Sequence, residues 1–487
     1  MTIPDLLAAT AARDPEHVAV VDGEVTLTYG DLRAAAQRFG GGITAGERVA
    51  MWAPNSWQWI VAVLGIWEAG ATLVPINTRF KGAEAEVILR RSNASTLLTV
   101  RDFMGVDYAA MLDGAEVPGL TIKTLEDLDL GRSGSPAGNQ SDPVREDDVS
   151  DILFTSGTTG VPKGVVMTHA RTARVATDWV AMTGLTATDR YLMVNPYFHM
   201  FGLKAGILAC VASGATMYPE PAFDAARALQ RVANEQITVF PGAPTLYQSI
   251  LDHPDRDSFD LSSLRVAVTG AADIPVELIR RVRDELPFSL VVTGYGLTEA
   301  GTVSATSPDD DPETVATTVG RARPGYEIRI DGEEIGEVLV RSPTIMCGYL
   351  DDDEATAEAV VDGWLHTGDL GTIGADGCLR IVGRSKDMFI VGGFNAYPAE
   401  IENMLLRHPD VAQVAVIGIP DARLGEVGMA FVVTPSTDAD VGERVMAWAK
   451  DEMANFKVPR RIEVLDALPL NATGKVVKDE LRALVTP

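Results

Sequence analysis

Apolar and polar positions along this chain follow two rhythms. Short apolar runs at 48–52, 71–75, 152–154, 165–167, 237–240, 266–269 and 290–293 sit between turn-forming residues. Such runs predict buried strands. Longer stretches with helical spacing lie among them, including 57–69 and an amphipathic segment within 1–15. Residues 18–22 and 25–29 predict a hairpin around Gly23, and Thr-Tyr-Gly-Asp at 28–31 then opens a helix with Asp31 near its N-cap. Residues 131–139 read as a surface loop and 307–314 as an acidic loop. Beyond residue 327 the pattern turns to strands at 327–330, 337–341 and 378–382. After 384–387 come a helix at 398–407, strands at 411–418 and 430–433, and a helix at 441–454. The fold class is therefore α/β. A large domain over 1–384 holds two α/β subdomains and a small β subdomain, and a small α+β domain covers 385–487. A chain of 487 residues is too long for one ordinary core.

Composition narrows the class. The formal net charge of −27 repels nucleic-acid phosphates, which argues against a nucleic-acid partner. Cys210, Cys347 and Cys378 have no C-x-x-C spacing, which fits a reduced, cytoplasmic setting. The N-terminus lacks a basic region followed by an apolar core. No apolar window is long and uncharged enough to span a membrane. Monomer and homodimer both stay open.

The most informative stretch is 151–169. Two predicted strands flank Thr155, Ser156, Gly157, Thr158, Thr159, Gly160, Lys163 and Gly164. Glycines let the backbone approach a ligand, hydroxyls add donors without bulk, and lysine adds a point charge. That combination suits a polyphosphate. It is not a Walker A loop, because Pro162 precedes Lys163, Gly164 follows it and a strand comes next. Strands 237–240, 266–269 and 290–293 each end at a Gly-containing turn, so three strand ends converge on one candidate site.

Residues 154–164 resemble the phosphate-binding signature of the adenylate-forming superfamily of acyl-CoA synthetases, peptide-synthetase adenylation domains and luciferases. Further family motifs follow in order. Within Gly-Tyr-Gly-Leu-Thr-Glu-Ala at 294–300, the resemblance gives Thr298 to phosphate and Glu299 to Mg²⁺; taken alone, Thr298 and Glu299 also fit a helix cap. It lays adenine on Gly270, Ala271 and Ala272, with Tyr295 and Gly296 beside it. It gives Asp369 to the ribose hydroxyls and Arg384 to ribose or phosphate; a structural Asp–Arg pair is the other reading. Lys475, in Pro-Leu-Asn-Ala-Thr-Gly-Lys at 469–475, matches the lysine that reaches the adenylating centre; taken alone, it reads as a solvated tail lysine. Lys386 matches the hinge about which the C-terminal domain moves, and Gly392, Gly393 and Phe394 match the lining of the CoA tunnel. Phe198 and His199, in Tyr-Phe-His-Met-Phe-Gly at 197–202, match the segment that gates the acyl pocket, with His199 beside the substrate carboxylate; a packed core histidine is the other reading of His199. Lys204 follows, read either as a donor into that pocket or as a lysine reaching solvent from a helix end.

The resemblance implies an ATP-dependent acid–thiol ligase using Mg²⁺ and CoA, with a carboxylic acid as partner. Residues 195–210 and 261–272 are similar to an actinobacterial branch acting on a bicyclic indane-dione propanoate from steroid degradation. That implies a bulky cyclic acid, steroid- or terpenoid-derived. Medium-chain or aryl acids, an adenylating amide ligase and a carrier-protein acceptor are the alternatives; a nucleotide-sensing binding protein with a degenerate site is a further one, against which the intact Glu299, Asp369 and Lys475 argue.

Overall fold

The computed structural model describes residues 1–128, 143–155, 162–270, 276–435, 438, 440–471 and 474–485. The predicted surface loop at 131–139 lies outside them. Among the described residues, strands form four sheets. A nine-stranded sheet runs from Arg321–Ala322 through Leu290–Leu297, Val266–Thr269, Val239–Gly242 and Arg190–Met193 to the N-terminal hairpin Val18–Asp22 and Val25–Thr28. A seven-stranded sheet contains Gly348–Tyr349, Lys163–Thr168, Val149–Thr155, Thr72–Pro75 and Arg48–Trp52. Glu327–Asp331, Gly336–Arg341, Trp364–Ile373 and Leu379–Arg384 belong to a third sheet, and Phe389–Val391, Gly425–Val433 and Gln413–Asp421 to a fourth.

The two large sheets share one core. Helix Trp57–Glu68 is apolar on nearly every face, and Trp59 through Trp67 are all buried. A helix of that composition must be enclosed on all sides. It meets helix Tyr29–Gly40 at a pair of glycines, where a Cβ on Gly40 would stand 2.6 Å from the Gly65 carbonyl oxygen. That second helix opens where expected. Thr28 is its N-cap, and Asp31, near it, closes a capping box from the third helical position. The acidic loop at 307–314 differs from expectation in its last part. Asp311 caps a short helix, Pro312–Thr317, whose Pro suits the first position. Residues from Phe389 onward pack into clusters of their own, around Phe389, Ile401 and Val432 and around Phe431 and Leu481.

Candidate functional site

The strand ends meet as expected. Gly242, Thr269 and Thr293 stand side by side in parallel register. Strand Leu290–Leu297 then runs on through Gly294, Tyr295 and Gly296 and pairs antiparallel with Gly301–Ala305. Thr298 and Glu299 therefore occupy a tight β-turn, and the helix-cap reading of these residues is wrong. Glycine is required at 296, where a Cβ would lie 2.6 Å from the Gly301 carbonyl oxygen. Gly270 faces the same strand, with its Cβ position 2.9 Å from the Gly294 carbonyl oxygen. Ala271 and Ala272 lie outside the described residues.

The opposite wall is a hairpin of Val149–Thr155 and Lys163–Thr168, closed by the pair Thr155 and Lys163. Ser156, Gly157, Thr158, Thr159 and Gly160 lie outside the described residues. Lys163 is half-buried, and its Nζ sits 4.9 Å from the centre of the Tyr349 ring. The Tyr349 hydroxyl donates to Glu299 Oε1 at 3.1 Å. Burial raises the Glu299 carboxyl above its usual range, opposed by its own backbone N–H and by Tyr349.

Asp369 and Arg384 are direct cross-strand partners, and Arg384 Nε lies 2.9 Å from Asp369 Oδ1. Tyr295 donates its hydroxyl to Asp369 Oδ2 at 2.5 Å. Burial pushes the Tyr295 phenol far up, so it remains a donor. The Asp–Arg pair read as an alternative is thus formed. An acceptor-only carboxylate beside an aromatic ring still suits a diol next to a flat base.

His199 is half-buried, and its Nδ1 accepts from Phe201 N–H at 3.2 Å, which leaves the ring proton on Nε2. Its pKa falls to about 3, from burial first and from the Lys475 charge second. Lys475 therefore lies close enough to His199 for its charge to oppose protonation of the ring. The segment carrying Lys475 docks on the large domain. Arg79 Nη1 donates to the Leu470 carbonyl at 2.9 Å, and the Gly474 Cβ position is 2.7 Å from Thr245 Oγ1. Phe198 is also half-buried. Gly202 lets the chain fold back here, since a Cβ would stand 2.2 Å from the Pro196 carbonyl oxygen.

Lys204 corrects the sequence reading. It lies in a π-helix, Leu203–Leu208, not in the first turn of an α-helix. It is 1% exposed, so it does not reach solvent. Its Nζ lies 2.8 Å from Asp151 Oδ1, off the axis of a good hydrogen bond. Asp151 Oδ2 accepts from Ser150 and Thr172 hydroxyls at 2.6 and 2.7 Å. A buried ammonium committed to a buried carboxylate is no spare donor for a substrate.

Lys386 is exposed in a 3₁₀ turn, Ser385–Asp387, between the third and fourth sheets. Gly392 and Gly393, at φ +57° and +93°, form the turn of the hairpin Phe389–Val391 and Phe394–Ala396. Both positive angles match the two-residue turn that glycine favours. Phe394 is exposed and stacks on Phe456 with ring centres 5.1 Å apart.

Two residues escaped the sequence reading. Asn55 donates from Nδ2 to the carbonyls of Met193 and Asn195 and accepts from Tyr197 N–H, so it holds the His199 loop. Tyr349 gave no motif signal of its own.

A family model described as AMP-binding enzyme matches residues 7–350, and its C-terminal-domain companion matches 400–475. The chain belongs to the AMP-binding enzyme family. It is an AMP-forming ligase of the acyl-CoA synthetase class, and use of ATP comes with that family. A 7a-methyl-1,5-dioxo-octahydro-1H-inden-4-yl propanoyl:CoA ligase of Rhodococcus jostii is 47% identical, over 99% of this chain and 98% of its own. The ligase of that name in Mycobacterium tuberculosis is 48% identical, over 99% of both chains. Among solved structures, an anthranilate CoA ligase in complex with anthranoyl-AMP matches with a TM-score of 0.91 at 28% identity, over 100% of this chain and 97% of that one. ATP-bound MatB from Rhodopseudomonas palustris gives 0.88 at 29%, over 99% of both. Among the described residues, no helix is long and apolar enough to cross a membrane.

Proposed function

We propose that this ligase activates a bulky cyclic carboxylic acid, steroid- or terpenoid-derived, and passes it to CoA. The substrate class rests on the names of the two relatives at 47% and 48% identity. The catalytic assignment rests on one observation, the docking of the segment that carries Lys475 across the proposed domain boundary at 384/385, where Arg79 donates to the Leu470 carbonyl and the Gly474 Cβ position lies 2.7 Å from Thr245 Oγ1.

In the first half-reaction a carboxylate oxygen attacks the α-phosphorus of ATP, and pyrophosphate leaves as acyl-AMP forms. Negative charge accumulates between the carboxylate and the phosphate. The Lys475 ammonium stabilises it, a task suited to a preorganised cation in a water-poor site. His199, neutral at working pH, borders the carboxylate without adding charge. Asp369 holds the ribose, Tyr295 and Gly270 flank the adenine, and Lys163 meets the phosphates. Glu299 suits Mg²⁺: it offers a half-buried carboxylate that Tyr349 holds through Oε1. Mg²⁺ takes one or two carboxylates and completes its shell with water and phosphate oxygens. When bound it would neutralise charge on the departing pyrophosphate. In the second half-reaction the C-terminal domain turns about Lys386 and withdraws Lys475. The CoA thiol then attacks the acyl carbonyl past Gly392 and Gly393, and AMP leaves.

A panel of cyclic, aryl and medium-chain acids, assayed for pyrophosphate release and then for CoA consumption, tests this reading. Highest kcat/KM with a polycyclic propanoate is the expected result. Preference for an aryl or straight-chain acid would overturn the substrate assignment. Pyrophosphate release without thioester formation would overturn CoA as the acceptor.

A further inference from the structure

Residues 344–350 run between the two walls of the site and are bonded to both. On one side, Thr344 Oγ1 donates to the Ala300 carbonyl at 2.6 Å, and Met346 N–H donates to the Glu299 carbonyl at 2.7 Å. On the other, Cys347 N–H donates to the Val166 carbonyl at 2.9 Å and Leu350 N–H to the Gly164 carbonyl at 2.7 Å. Gly348 and Tyr349 thus form the edge strand beside Lys163–Thr168. The backbone of this strap fixes the Thr298–Glu299 turn against the Lys163 hairpin.

The Tyr349 side chain repeats the link at the level of charge. Its ring lies under the Lys163 ammonium at 4.9 Å, and its hydroxyl reaches Glu299 at 3.1 Å. Lys163 and Glu299 come from different sheets and carry opposite charges. A ring holds a cation over its face without consuming a hydrogen-bond donor. A phenol occupies one lone pair of a carboxylate, which has about four acceptor sites, and so does not prevent it from taking a further ligand. One tyrosine therefore sets the separation of the two charges while leaving both able to take a ligand.

We propose that Tyr349 is a positioning residue that aligns Glu299 for the metal through its hydroxyl and Lys163 for the nucleotide phosphates through its ring. The proposal rests on the ligase reading above. It assigns separable functions to two parts of one side chain, which a merely structural tyrosine would not have. Partners that orient a metal ligand typically change metal affinity about 10- to 100-fold when removed.

The test uses the full-length protein and a non-hydrolysable ATP analogue with a methylene bridge between the α- and β-phosphates. Calorimetry measures analogue binding across a Mg²⁺ titration and in its absence. Tyr349→Phe keeps the ring and loses the hydroxyl. The Mg²⁺ midpoint should rise about tenfold, at the lower end of that range, while metal-free analogue binding stays within about twofold of wild type. Tyr349→Leu loses both contacts, so metal-free binding should weaken as well. An unmoved Mg²⁺ midpoint in Tyr349→Phe overturns the proposal. So does equal weakening of both measurements in Tyr349→Phe, which would mark a packing defect. Wild-type protein that binds no analogue at all would overturn the ligase reading itself, a separate result.

Discussion

Replacing Lys204 with Met removes a buried charge while preserving most of the stem. Two unit charges 2.8 Å apart attract by about 6 kcal/mol at an effective dielectric near 20. Part of that attraction is offset, because the ammonium need no longer be kept from water. Breaking a buried pair by removing one partner typically costs about 3–5 kcal/mol. Asp151 keeps its two hydroxyl donors, Ser150 and Thr172, so the lower end, about 3 kcal/mol, is expected here. Trp67 donates its indole N–H to the Ser150 carbonyl and reports on this region by fluorescence.

The assay is urea unfolding followed by tryptophan emission, on both single variants and on Asp151→Asn/Lys204→Met. The double variant leaves no unpaired charge and should recover to within about 1 kcal/mol of wild type, since neutral replacements of buried pairs are often tolerated. A loss below about 1 kcal/mol in Lys204→Met would refute the ion-pair reasoning. So would a double variant no more stable than the worse single. Unchanged stability with a raised KM confined to polar cyclic acids would return Lys204 to the acyl pocket.

Four further outcomes follow from the site. Lys475→Ala should abolish acyl-AMP formation yet spare thioester formation from supplied acyl-AMP; equal loss in both, measured separately, would reassign Lys475. Lys386→Pro, which fixes φ in the turn Ser385–Asp387, should leave pyrophosphate release intact and block thioester formation in stopped-flow. Glu299→Gln should raise the Mg²⁺ requirement of adenylation by about tenfold, and an unmoved Mg²⁺ titration would make Glu299 structural. His169, depressed by burial to about 4, titrates near 6.5 when unfolded, so the unfolded chain binds the extra proton as pH falls. Stability is therefore full above 6.5 and lost toward 4, by about 2 kcal/mol between pH 7 and pH 5, and His169→Gln should flatten that part of the urea-midpoint profile.

Local patterns in the sequence reached the strands and the motif residues on them because both depend on short-range rules. Strand 266–269 and the Gly-Tyr-Gly segment after 290–293 carry their own signals, although that segment continues the strand instead of turning. What stayed hidden depends on distant partners. Thr298 and Glu299 look like a helix start until Gly301–Ala305 is known to pair back against Leu290–Leu297. Lys204 looks solvent-bound until Asp151, from another element, is placed beside it. Tyr349 is one tyrosine among ten, and only the two walls meeting around it give its ring and hydroxyl separate partners. Asn55 sits in an ordinary turn, and its three hydrogen bonds reach residues about 140 positions away.

The docking of Lys475 bears on how one chain can run two half-reactions. Its turn is closed by its own bonds: Asn471 N–H donates to the Lys475 carbonyl, Gly474 N–H to the Asn471 carbonyl and Lys475 N–H to Asn471 Oδ1. It can leave the site without losing its shape. Among the described residues, the buried cores of the large domain end at Leu379 and those of the small domain begin at Phe389. A rotation between those positions opens no core. The bond from Arg79 to Leu470 that such a rotation breaks is exposed to water, and hydrogen bonds of that kind contribute only about 0.5–1.5 kcal/mol each. A contact of that strength is within reach of ligand binding, which can bias one orientation over the other. Under the proposed two half-reactions, loss of pyrophosphate and arrival of a thiol would shift that balance, provided each binds one orientation better than the other.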